Sequence, residues 1–457
     1  MQLAEVESVI ARANGSSNHY DQKQANETLE QLKMAADSWS WGMRLFFESS
    51  QPVARFFGLS LVRGQLIEAS RLPVLDHRRQ IRTSLITWVQ QVLSSSSTGP
   101  EGYLMSNVTA VLTLCIKHDF PEDWRSAFSE LLALGALSAA GTDLVLGVLE
   151  NFDADVVIFN EARSRDEWTH NTVIKDCMRT EGINASIVDF LLQRCVALRP
   201  HASETSAKCL SILSLFVSWV DINLLLPQTT LALLYQALTD SMLWGGACLC
   251  LTEIVKKGVT PVHRKMELLA ATQILDVLSR TIEGTVDDDL ADSLAALVDA
   301  VFLEVLEVWS ACEAGGEARA FAPQVGQALH RCMSCVLPLF RHSNFDATVA
   351  LVPSLNRFAQ VLRAQAKAPG DELWSAFDPK QYLNDYLTAV YHKLQFDEDF
   401  SFDPADEDDC EEVEVRRLLA LLASLAHHSC FSFILSCTLF FPFFSFHRSL
   451  ICDNFGC

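Results

Sequence analysis

The sequence predicts an all-α fold, a solenoid of stacked helix pairs, and three observations carry the prediction. Apolar residues recur at three- and four-residue spacings through segments of roughly 12–20 residues rich in Leu, Ala and Glu, which is helical periodicity. Valine and isoleucine are not gathered into the short alternating runs that strands require. Helical segments follow one another about every 15–25 residues across short turns, without a strict sequence period. Degenerate pairs of roughly 40 residues are the signature of HEAT-type helical repeats. One such pair cannot bury its apolar face alone, so the stack is the stable unit. With 457 residues, 49% hydrophobic and 20% charged, the chain has core enough for two or three domains or one elongated array.

Taken in order, two helical segments fill residues 1–35, separated by Asn14-Gly-Ser-Ser-Asn18, a loop by composition, with Asp21 as the expected N-cap of the second. Trp39–Glu48 and Pro52–Ala69 form a hairpin. Pro52 suits a first helical turn, and Phe56, Leu59 and Val62 share an apolar face with Phe57 and Leu61 beside it. Asp76 is expected to cap His77–Leu93, where Ile81, Leu85, Trp88 and Val92 form one stripe and His77, Arg78, Arg79 and Arg82 the other side. Ser94–Pro100 reads as a flexible connection. Tyr103–Lys117 and Trp124–Leu134 pair about His118-Asp-Phe-Pro121, where proline stops one helix and opens the next, and Ser138–Leu149 follows.

Longer helices then occupy about 164–180, 183–198, 203–220, 227–240, 243–257 and 260–280. Lys208–Trp219 is apolar nearly all round, as suits a helix with neighbours on both sides. Val286–Cys312, Gln324–Arg341 and Phe345–Lys367 come next, broken by Gly315-Gly316 and Pro369-Gly370, and then Leu373–Phe377 and Pro379–Leu394. Phe396–Val415 is an exposed acidic loop and Val413–His427 a last amphipathic helix.

Three parts are expected: N-terminal HEAT-type repeats over 1–150, central repeats over 151–428 carrying the acidic loop 396–415, and a Phe-rich tail, 429–457, outside the fold. Residues 431–457 hold eight of the 27 phenylalanines and two formal charges, Arg448 and Asp453. A membrane tail anchor needs about 20 apolar residues. The run from Cys430 to Phe446 is shorter and contains Pro442, so translated non-coding sequence is favoured over an anchor.

The formal net charge is −22, and eleven acids with no Lys or Arg fall in Phe396–Val415, which leaves about −11 on the remainder. Such a surface repels bare nucleic acid at long range and favours a basic protein partner; an RNA partner needs a local basic patch. The 14 cysteines lie mostly at apolar helical positions such as Cys195, Cys209, Cys248 and Cys250, the usage of a reduced compartment. The acidic, amphipathic N-terminus does not read as a secretory signal. The sequons at Asn14, Asn26, Asn107 and Asn184 are then expected to be chance matches.

No nucleophile–base motif, HExxH, Walker loop or GxGxxG occurs, and the carboxylate pairs sit in polar stretches, so neither an enzyme nor a cofactor is expected. Cys332-Met-Ser-Cys335, with His330 and His342 near, is the best metal candidate. A lone CxxC supplies two of the four ligands of a zinc site, and Cys332, Cys335, Val336 and Leu339 follow helical spacing, so core cysteines are expected there. His427-His428-Ser-Cys430, at the join with the tail, carries less still.

Two basic groups remain: His77-Arg78-Arg79 with Arg82, and Lys256-Lys257 with His263-Arg264-Lys265. Each suits contact with phosphates. The alternative is a solvated helix face, or, for Lys256 and Lys257 before Gly258, a positive complement to a helix C-terminus. Asn171, Lys175, Asp176 and Arg179 form a polar stripe opposite Ile174 and Met178. They either touch a ligand or pin one repeat to the next through buried polar contacts, and the second role is favoured.

Several collinear phrases resemble the exportin-T family, the tRNA-export karyopherins of the importin-β superfamily. They are Asn171-Thr-Val-Ile-Lys-Asp-Cys-Met-Arg179, Val217-Ser-Trp-Val-Asp-Ile222, Ala247-Cys-Leu-Cys-Leu-Thr-Glu-Ile-Val-Lys-Lys-Gly258 with Pro261, and Lys393-Leu-Gln-Phe-Asp-Glu-Asp-Phe-Ser-Phe402 with its acidic continuation. Ser49–Leu61 and Arg78–Trp88 fit more loosely. The resemblance covers about 1–428, and the family continues for roughly as many residues again, so a truncated form is expected.

The resemblance implies a superhelical arch of HEAT repeats that binds GTP-loaded Ran and tRNA together in the nucleus. Ran is held by the N-terminal repeats, and release follows GTP hydrolysis in the cytoplasm. It further implies nuclear pore proteins as partners, shuttling between nucleus and cytoplasm, a monomer, and no membrane association. Candidate contacts to Ran or tRNA are Arg55, Arg78, Arg79 and Arg82, then Lys175 and Arg179, then Lys256, Lys257, Arg264 and Lys265. A HEAT-repeat protein–protein scaffold that binds neither RNA nor Ran is the alternative.

Overall fold

A computed structural model describes residues 2–15, 17–67, 74–94, 102–284 and 286–394, together with positions 413 and 416. The connection after Ser94, the acidic loop, the helix expected after it, the His427–Cys430 motif and the Phe-rich tail lie outside the described residues. Among those described there are nineteen α-helices and no strand. The chain divides into two compact units, 1–224 and 225–457. The division does not fall at residue 150, which lies inside a helix, Ala139–Phe152.

The first unit is a series of antiparallel pairs: α1 (Leu3–Gly15) with α2 (His19–Met34), α3 (Ser38–Glu48) with α4 (Pro52–Ile67), and α5 (Leu75–Ser94) against α6 (Gly102–Asp119). Then α7 (Ala127–Leu137) packs on α8 (Ala139–Phe152), and α10 (Ile183–Leu198) on α11 (Ser203–Val217), with α9 (Arg165–Thr180) leading into α10. Consecutive pairs touch through α4 on α6, α6 on α8 and α8 on α11, which is how HEAT-type stacking builds a continuous core. α11 is buried almost all round, as its composition predicts: Cys209, Leu210, Leu213, Phe216 and Val217 are each fully buried.

Local signals place most ends, with three corrections in this unit. The N-cap of α2 is Asn18, whose side chain accepts from the Tyr20 N–H at 3.0 Å, so Asp21 sits inside the first turn. Asp76 is likewise inside the first turn of α5, where a carboxylate suits the positive helix end. Phe56 is 40% exposed, whereas Leu59, Leu61 and Val62 are buried as expected, and α4 turns Ala54, Gly58 and Gln65 inward with them. The reason is a close crossing, because a Cβ on Gly42 or Gly58 would come 2.5 or 2.6 Å from the carbonyl oxygen of the other.

The second unit is built on α16 (Asp288–Ala314), 27 residues long and packed by α13 (Trp244–Lys256), α17 (Ala322–Phe340) and α18 (Phe345–Lys367). Trp309, Phe302 and Leu306 on α16 are fully buried. α12 (Gln228–Ala237) precedes α13, and α19 (Leu383–Leu394) lies against α17. The helix expected over 260–280 is two helices, α14 (Lys265–Thr272) and α15 (Ile274–Glu283), because Gln273 turns left-handed between them at φ 56°. Pro379–Leu394 is also divided, into a 3-10 turn over Pro379–Tyr382 and then α19.

Candidate nucleic-acid and protein interface

The basic group of α5 splits on inspection. Arg78 Nε donates to Asp119 Oδ1 and Arg82 Nη1 to Asp119 Oδ2, both at 2.6 Å, and Arg82 Nη2 donates to the Asp123 carbonyl at 3.0 Å. The Arg82 guanidinium also stacks over Trp124, 4.9 Å from the ring centroid. The Asp119 side chain is fully buried and those of Arg78 and Arg82 are 13% and 9% exposed. These two arginines therefore lock α5 to the end of α6 and are not among the accessible cations, and Arg82 lies on the buried side rather than opposite the apolar stripe. Arg79 behaves differently. It is 54% exposed, 3.5 Å from Asp76, and borders an open cleft of about 440 Å³ with Thr83, Thr87, Trp124 and Arg125. Arg125, absent from the sequence-based set, is exposed and pairs with Glu181.

Arg55 is half-buried. Its Nε donates to the Phe46 carbonyl at 3.0 Å, and its guanidinium lies over Phe46 and Trp88 at 5.0 and 5.8 Å, joining α4 to α3 and α5. On α9 the polar stripe also separates. Asn171 is buried and its Nδ2 donates to the Asp155 carbonyl at 3.4 Å, in the π-helical turn Asp153–Val157 that follows α8. Lys175 is half-buried, and burial, with Arg179 and Arg163 nearby, lowers its ammonium pKa against the pull of Asp176. Arg179 is exposed, bonded to Asp176 at 2.7 Å and placed over Trp219 at 5.9 Å. The stripe thus pins with Asn171 and presents Arg179.

In the second unit Lys265 is only 3% exposed. Its Nζ donates to the carbonyls of Val255 and Lys257 at 2.7 and 2.6 Å and meets Glu304 at 2.8 Å. It satisfies the open carbonyls at the C-terminus of α13 with a positive charge, the task the sequence suggested for Lys256 and Lys257. Lys265 is therefore removed from the accessible set. Lys256 and Arg264 are 53% and 57% exposed, each 3.7 Å from an acid three residues away, Glu253 and Glu267. Lys257 is half-buried. Exposed cations thus remain on α5, on α9 and around α13 and α14, each with a carboxylate neighbour.

Cys332 and Cys335 are core residues, each 1% exposed, and burial pushes both thiols up. His330 Nδ1 is engaged by the Tyr382 hydroxyl at 2.8 Å, and His342 Nε2 donates to the Val286 carbonyl at 3.3 Å. Among the described residues no three His, Cys, Asp or Glu side chains are grouped to hold a metal ion. No described helix is long and apolar enough to cross a membrane.

The family model for exportin 1-like proteins matches residues 101–251, from the start of α6 into α13. With the stacked helix pairs, this makes the chain similar to helical-repeat proteins of the exportin type. More narrowly, the chain is a homologue of the exportin-T proteins. It is 25% identical over 421 residues to human exportin-T, 26% over 420 to that of Danio rerio, and 26% over 460 to that of Pyricularia oryzae. In each case 91% of this chain is matched. The resemblance read from Asn171–Arg179 and its companion phrases is borne out. The chain spans 42–43% of the length of these relatives.

Proposed function

We propose that this chain works as part of a nuclear export receptor, holding tRNA by its phosphate backbone and GTP-bound Ran on its helical repeats, and shuttling between nucleus and cytoplasm. The observation that carries the reading is the similarity to exportin-T along nine-tenths of the chain. The geometry supports it in a specific way. Arg79, Arg179, Lys256 and Arg264 are exposed and dispersed over separate helices, which suits recognition of a folded RNA by shape and phosphate. Arg78, Arg82 and Lys265 hold the helices that carry them. Nuclear pore proteins are further partners on this reading.

The test is retention of Ran loaded with GTP or GDP, with tRNA present or absent, on the immobilised chain. The expected result is retention of the GTP form, increased by tRNA through a coupling of the order of 5–150-fold. Equal retention of the two nucleotide forms overturns it. The alternative, a protein–protein scaffold, has one observation in its favour: Arg79, Arg179, Lys256 and Arg264 each already have an acidic neighbour three residues away. It predicts that neither Ran nor tRNA is retained.

A further inference from the structure

α18 carries a proline in its interior, Pro353, on the side that faces solvent. Proline has no N–H to give the carbonyl of Val349, and its ring crowds that carbonyl, so the helix loses one of its own hydrogen bonds there. The next N–H along is directed elsewhere. In an unbroken helix Ser354 N would serve the Ala350 carbonyl four residues back. Here it donates to Asp299 Oδ1 on α16 at 2.9 Å. Ser354 is fully buried and Asp299 is 8% exposed. Two consecutive positions of the helical ladder are thus altered at one place, the first by proline and the second by a carboxyl from a neighbouring helix.

The two sides of that place are anchored unequally. Before it, residues 345–352 bury Ala347, Thr348 and Leu351, leave Val349 40% exposed, and follow Asn344, whose Nδ2 donates to the Asp288 carbonyl at 2.8 Å. Beyond it, Leu355, Phe358, Ala359, Val361 and Leu362 are buried. Phe358 meets Phe302 of α16 with ring centroids 6.0 Å apart, and Arg357 Nη2 donates to the Ser310 hydroxyl at 2.8 Å. Segments with fewer buried apolar contacts open at lower free energy than their neighbours, in contiguous cooperative units. The Ser354 hydroxyl, which donates to the Leu351 carbonyl at 3.2 Å, still ties the two sides together.

We propose that α18 is a jointed helix, with the joint made by Pro353 and Asp299 together: residues 345–352 open about it as one unit while 354–367 stay on α16. Pro353 weakens the ladder between the two arms, and Asp299 keeps the Ser354 N–H satisfied when they part, so opening exposes no stranded main-chain donor at the break. A hinge of this kind is a few residues that absorb the backbone change while the packed element beyond stays in place. In a helical-repeat stack each unit touches its neighbours alone, so a joint within one helix lets that pair yield locally. The proposal is independent of the tRNA and Ran reading, since it uses none of the cations on which that reading rests.

The test is native-state amide exchange on the full chain, read residue by residue by mass spectrometry with fragmentation. The expected result in the parent is one common opening for the amides of 349–352, about tenfold or more frequent than that of 355–362. Pro353→Ala gives the helix back an N–H, and Asp299→Leu returns the Ser354 N–H to the Ala350 carbonyl. Each narrows the gap between the arms by roughly two- to tenfold, the worth of one hydrogen bond. Asp299→Asn, which keeps an acceptor oxygen, retains the gap. A carboxyl that merely stabilised the fold would, on replacement by leucine, lower protection in both arms alike. Equal protection of the two arms in the parent, protection graded from Asn344 inward as in a fraying end, or a gap that either Pro353→Ala or Asp299→Leu leaves unchanged overturns the proposal. The parent measurement needs no substitution, so a variant that fails to fold does not shield the joint from refutation.

Discussion

Asp119 is the last residue of α6, where the helix dipole disfavours a carboxylate, and its side chain is completely buried. Only the two guanidiniums of Arg78 and Arg82 make that tolerable. Asp119→Ala removes the shared acceptor and strands two largely buried cations, so a loss of about 3–5 kcal/mol is expected in urea unfolding. Arg79→Ala, on the same helix but exposed, should move stability by less than about 0.5 kcal/mol. A second buried carboxyl has the opposite character. Asp153 is 4% exposed, meets no cation, and burial pushes its pKa up to about 6 from 3.8. The folded state therefore binds this proton more tightly than the unfolded chain. Stability falls as pH rises from about 4 to about 6, and the penalty is complete above that window. Asp153→Asn is expected to raise stability at pH 7.5 by the order of 1 kcal/mol, allowing for solvent screening, and to leave it unchanged at pH 3.5. Asp119 was readable in principle, since a carboxylate ending a helix before Phe120-Pro121 calls for a cation. Asp153 was not, because its burial is set by how the π-helical turn folds back on α8 and α9, which no spacing in the sequence records.

At the scale of elements, helix existence was legible from periodicity almost throughout, since each apolar face must be covered and the spacing records which face it is. Where the reading failed, contact with a neighbour decided the outcome. Phe56 looks like core by spacing, yet the α3–α4 crossing is so close that glycines form it and the phenylalanine is turned out. The α14–α15 break is silent in sequence because glutamine at a left-handed position carries no turn signal. The crossing gives a paired prediction. Gly58→Ala places a Cβ 2.6 Å from the Gly42 carbonyl oxygen and 2.9 Å from Leu45 Cβ, and a backbone atom cannot move aside by changing rotamer. Overpacking of about 1–3 kcal/mol then exceeds the helix-propensity gain of about 1 kcal/mol, and the melting temperature falls. Gly64→Ala, two turns along the same helix, meets nothing within 4 Å, so the propensity gain stands alone and the melting temperature rises. Equal shifts for the two variants would show that the helices do not meet at this glycine pair.

For the molecule as a whole, the net charge of −22 sets the terms on which any polyanion approaches. Far from the surface the field repels RNA, and within about a Debye length single exposed cations decide. The family was legible because several phrases along the chain match in order. The site was not, because its chemistry is distributed: basic residues read as one group in sequence divide in space into struts and free ends. Arg82 and Lys265 are buried among carboxylates and carbonyls, whereas Arg79 and Arg264 face solvent. On the proposed function this division has a measurable consequence in the salt dependence of tRNA retention. Each phosphate neutralised by a cation releases counterions, so log affinity falls linearly with log salt and the slope counts the contacts. Arg79→Ala and Arg264→Ala should each reduce the slope by about 1 and leave the melting temperature where it was. Lys265→Met should leave the slope intact while lowering the melting temperature, because two helix-end carbonyls and Glu304 lose their partner. A slope that follows Lys265 rather than Arg79 and Arg264 would mean that the accessible cations are not the ones that meet RNA.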